Sequence, residues 1–94
     1  MIYPKEVVAK AWDYMTDGTQ DKWNRIPWER DIFAAHEFIK NTLKPALIRT
    51  YKDLSAHKER QKSLGGDVTE TEHHQANVLE IIGFVEVYLT DFRF

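Results

Sequence analysis

The chain contains no cysteine. That excludes disulfide scaffolds, thiol catalysis, thiolate zinc sites and iron–sulfur clusters together. It also has no long hydrophobic run: the longest apolar stretch is about four residues, Ile32-Phe33-Ala34-Ala35, far short of the ~20 needed to span a bilayer. The opening Met1-Ile2-Tyr3-Pro4-Lys5-Glu6 lacks the apolar segment of a secretory signal, so a cytoplasmic location is expected. Serine is scarce, with only Ser55 and Ser63, and no Gly-x-Ser-x-Gly occurs. Gly65-Gly66 is followed by Asp67 where a phosphate-cradling loop would place Lys and Ser or Thr. A non-enzymatic protein without a cofactor is expected from these absences.

What remains is a chain of 94 residues, 43% hydrophobic and 30% charged, with a net charge of −2. Those values suit one small globular domain spanning residues 1–94. The charge is unevenly placed. Residues 44–66 carry Lys44, Arg49, Lys52, Lys58, Arg60 and Lys62 against Asp53 and Glu59. Residues 67–94 carry six acids against Arg93. Adjacent antiparallel helices would neutralise one another, and that reading is preferred. The competing one makes the six cations of 44–62 a phosphate- or nucleic-acid-binding face.

The apolar spacing predicts an all-α fold. Val7, Val8, Ala11, Trp12 and Met15 recur at helical spacing from Pro4, which suits a first helical position. Thr16-Asp17-Gly18-Thr19 should end that helix, with Gly18 as a left-handed cap. Residues 19–27 then read as a polar connection. A second helix should begin near Pro27-Trp28 and follow Ile32, His36, Ile39, Leu43, Leu47, Tyr51 and Leu54 to about Ser63, kinked at Pro45. Gly65 should close it. Asp67 and Thr69 each precede a Glu by three residues, the pattern of a capping box, and open a last helix from Val68 to Asp91. Its stripe is Val78, Ile82, Val85, Leu89 and Phe92. A strand over Phe84–Leu89 competes weakly, because a lone strand leaves its backbone groups unpaired. The expected architecture is a small bundle: a short N-terminal helix on a long antiparallel hairpin, kinked at Pro45.

Ile81, Phe84 and Tyr88 widen the last stripe on one side and Leu79 on the other, beyond the ~100° that one core face uses. Two buried sides are implied; a homo-oligomer would supply the second, unless the N-terminal helix and the Trp23 connection cover it. Trp12, Trp23 and Trp28 fall within a short span, interleaved with Lys22, Arg25 and Arg30 and close to Tyr3 and Phe33. Aromatics and arginine dominate interface energetics, so Trp12, Trp23, Arg25 and Trp28 are the candidate contact with a protein partner. The competing reading, preferred on helical spacing alone, is that the tryptophans plug the bundle end with the cations over them. His36 on the apolar seam is expected as a hydrogen-bonded core histidine. Asp53/His57 and Glu70/His73 each share a helix face, but a di-metal carboxylate site needs two Glu-x-x-His pairs, so no metal is assigned. The expected class is a binding protein, such as an inhibitor, adaptor or accessory factor of the kind mobile elements carry. A nucleotide- or nucleic-acid-binding module is the alternative.

Overall fold

The computed structural model describes residues 2–15 and 17–91, and every regular element among them is helical. Helix α1 covers Pro4–Ala11, with Pro4 in its first turn, and tightens into a 3-10 turn at Trp12–Tyr14. Helix α2 covers Asp17–Arg25. A turn leads to α3, Ile32–Phe38. A π-helical segment, Ile39–Leu43, joins α3 directly to α4, Lys44–Ser63. After a tight bend, α5 runs from Thr69 to Asp91. The small bundle expected from the spacing is the fold observed: α1 packs on the hairpin that α3–α4 forms with α5.

Three local expectations need correction. Residues 19–27 are not a connection, because most of them belong to α2. The helix is hard to see since Thr19 and Trp23, four apart, are its buried positions, and the rest is polar. Gly18 is not a left-handed cap, for it lies inside α2; among the described residues only Gly65 has a positive φ, +73°. The second long helix starts at Ile32 rather than near Pro27. Asp31 caps it by accepting a hydrogen bond from the Ala34 backbone N–H at 3.1 Å. Pro27 instead closes a turn in which its carbonyl accepts from the N–H groups of Arg30 and Asp31. Thr16 of the expected turn and Phe92 of the expected stripe lie outside the described residues.

Pro45 is accommodated by the preceding π segment. There the Lys44 N–H bonds the Ile39 carbonyl, five residues back. Proline has no N–H and its ring collides with the turn before it. Widening that turn removes the collision without ending the rod. Ile39 and Leu43, at the two ends of the segment, are both fully buried, so packing holds the wider turn in place.

The core is concentrated at one end. Val7, Val8, Ala11 and Met15 meet Ile39, Leu43 and Leu47 from one side and Ile81, Val85 and Tyr88 from the other. His36 sits here, with Nδ1 3.2 Å from the Tyr88 hydroxyl. Burial pushes the Tyr88 phenol up to about 12 and holds the His36 imidazole below its ordinary range. Beyond Leu47 the cover thins to Tyr14, which reaches α5 at His74 and Asn77, and past these, among the described residues, the hairpin continues as two helices alone. Its ties are polar: Thr71 Oγ1 donates to Gln61 at 2.7 Å, Gln75 donates to Ser55 at 2.6 Å, and Lys58 meets Glu72 at 3.8 Å. The molecule is accordingly long, 50 × 25 × 17 Å, with a radius of gyration of 14.9 Å. A compact chain of this length would have about 12 Å.

A candidate aromatic and cationic interaction site

The polypeptide between α2 and α3 turns sharply, and this turn sets the position of Trp28. Its backbone N–H bonds the Ile26 carbonyl at 2.8 Å. The Trp28 ring then stacks on Trp23, with centroids 5.3 Å apart and planes 13° apart. Trp23 is only 5% exposed and leans on Phe38, 5.2 Å away, so it belongs to the core. Trp28 is half-buried, and Lys5 Nζ lies 5.8 Å from its ring centroid. Between the start of α1 and this turn lies an open cavity of about 420 Å³, lined by Tyr3, Pro4, Lys5, Trp28, Glu29, Arg30 and Ile32. Tyr3 is 56% exposed at its edge.

Of the four candidate contact residues, the structure therefore joins Trp23 and Trp28, with Trp23 as the support and Trp28 as the surface. Trp12 is half-buried against the core, and its carbonyl accepts from the Gln20 side chain at 3.0 Å. Arg25 is exposed on a separate groove of about 430 Å³ with Lys22, Phe38 and Asn41. Lys5, Tyr3 and Ile32 complete the cleft around Trp28, and sequence spacing gave no sign of Lys5. It is one residue past a helix-starting proline, and only the packing of α1 beside the 26–31 turn brings it to the tryptophan.

The six cations of 44–62 are divided. Lys44 pairs with Glu86 at 3.9 Å and Lys58 with Glu72 at 3.8 Å. Arg49, Lys52, Arg60 and Lys62 are exposed. Asp53 and Glu59, also exposed, interleave with them, so the outer side of α4 is only weakly basic. Partial neutralisation by α5 is thus observed for two of the six.

A second polar cluster joins α5 to the 3-10 turn. The Asn77 amide donates to the Tyr14 hydroxyl at 3.3 Å, and the same hydroxyl lies 3.3 Å from His74 Nδ1. His74 Nε2 is 3.7 Å from Glu70. This network accounts for His74 as a tether of the turn. Among the described residues no group of three or more His, Asp or Glu side chains could hold a metal ion. No helix among them is long and apolar enough to cross a membrane. Comparison with protein-family models, with curated proteins and with solved structures finds no match.

Proposed function

We propose that this chain is a small, non-enzymatic binding protein that engages a protein partner through the cleft around Trp28. The observation that carries the reading is the Trp23–Trp28 stack beside an open cavity. A partly buried indole with one edge at the surface, held by a buried one, loses little entropy on docking, which is what an interface anchor requires. Lys5 and Arg30 stand beside it with Glu29 as the one acid of the lining. That balance favours a partner segment offering an apolar or aromatic side chain next to a carboxylate. Inhibitor, adaptor and accessory roles all operate this way.

The test is capture from cells of the source organism with wild type and Trp28→Ala side by side. Trp28 is the informative position because Trp23→Ala would hollow the core. Wild type should retain partners that Trp28→Ala loses by tenfold or more, and retain them in ~0.5 M salt. Equal capture by both proteins would remove the cleft from consideration. The alternative, phosphate recognition by Arg49, Lys52, Arg60 and Lys62, predicts capture of nucleic acid that collapses as salt rises. The pairing of Lys44 and Lys58 with α5 acids leaves it with less support.

A further inference from the structure

The hairpin has two broad sides, and among the described residues only the one facing α1 is covered. On α5, Ile81, Phe84 and Tyr88 point toward α1, where Lys10 Nζ lies 4.9 Å from the Phe84 ring centroid. About 100° per residue separates successive side chains, which places Leu79 and Glu86 roughly half a turn away from that set. On α4 the same rule places Ile48 and Ser55 on one flank with Lys44. Two bonds show that these flanks form a single side: Ser55 to Gln75 at 2.6 Å and Lys44 to Glu86 at 3.9 Å. Ile48, Tyr51, Ile82 and Leu89 are half-buried there, and Leu79 is 54% exposed.

We propose that this uncovered side of the hairpin is the contact between two copies of the chain, related by a two-fold axis running along the hairpin. Charge selects both the occupant and the axis. Along this flank α4 presents Lys44 and Lys58 while α5 presents Glu86 and Glu72, so the surface is complementary to itself. Two such sides can meet about two in-plane axes. An axis across the helices lays α4 on α4 and α5 on α5, like charge on like. An axis along the helices lays α4 of each copy on α5 of the other, antiparallel, with Lys44 level with Glu86 of the second copy. The product is an antiparallel four-helix arrangement, which gives the two-helix half of the hairpin the second layer it lacks. The side is about 30 Å long over α4 and about 20 Å wide for two helices. That is of the order of the ~800 Å² per partner that stable complexes bury. This interface is remote from the Trp28 cleft and independent of it.

Sedimentation of the full chain from ~5 to ~200 µM tests the proposal. Wild type should approach twice 11.1 kDa as concentration rises. Leu79→Lys, at an exposed position, should keep its helical circular dichroism and remain a monomer throughout. The axis has its own test. Lys44→Glu alone and Glu86→Lys alone each set like charges against each other in a homodimer, and each should dimerise at least tenfold more weakly. Mixed together, the two variants place opposite charges at both contacts, and the dimer should return. The internal Lys44–Glu86 pair stays broken in both chains, so its repair cannot explain the rescue. A wild-type monomer at ~200 µM overturns the proposal, as does wild-type association by folded Leu79→Lys; failure of the mixture to recover overturns the axis. Trp28→Ala should dimerise as wild type does, which separates this result from the fate of the cleft.

Discussion

His36 is the residue where burial and protonation oppose each other most directly. Its imidazole is 9% exposed and bonded to the Tyr88 hydroxyl. Burial lowers its proton affinity; the Glu37 charge pulls the other way and Lys40 adds to the lowering. The unfolded chain, with an ordinary histidine near 6.5, therefore binds this proton more readily than the folded one. Stability from this group is full above about pH 6.5 and declines as pH falls below it. Urea midpoints taken at pH 7.5, 6.0 and 5.0 should descend in that order. His36→Gln should flatten the descent, and an unchanged slope would assign it to other groups. Trp23 makes a different point at this scale. Its place among aromatics and cations suggests a contact residue, yet its ring is enclosed between Trp28 and Phe38. Composition marks the cluster, and only packing decides which indole faces water.

At the scale of elements, the bend between α4 and α5 is set by one backbone angle. Gly65 has φ of +73°, and a Cβ added there would meet nothing within 4 Å. Replacing it with alanine costs only the left-handed conformation, about 1–2 kcal/mol. The loss should appear as a fall of roughly 4–8 °C in melting temperature per kcal/mol. Gly65→Asn should lose less, since asparagine tolerates that region. Legibility followed the same physics. The hairpin was readable because Leu43, Leu47 and Val78, Val85 recur at helical spacing and Gly65 is the turn residue the geometry requires. Helix α2 was not, because among its described side chains only Thr19 and Trp23 are buried. The π segment has no sequence mark beyond the proline it precedes. The cleft was half legible: Trp28, Arg30 and Tyr3 stood out, whereas Lys5 reaches it from the first turn of α1, which nothing in the spacing places beside the 26–31 turn.

The whole molecule is uneven along its length. One end holds a three-sided core, and the other is two helices tied by polar contacts such as Thr71–Gln61. Opening free energy follows buried apolar contact, so the two ends should differ. Amide exchange in dilute solution should be slowest for 39–47 and 78–88 and faster for about 54–72. Uniform protection along α4 would contradict this gradient. If the proposed dimer forms, raising the concentration to ~200 µM should slow the faster set selectively.

All three tryptophans fall within the first 28 residues, against or inside the core end of the rod. Indole emission is consequently blind to the far tip, while the far-ultraviolet dichroism of α4 and α5 reports it. Melts followed by the two signals need not superimpose. The gap between their midpoints reads out, with no label added, how independently the two ends of this protein come apart.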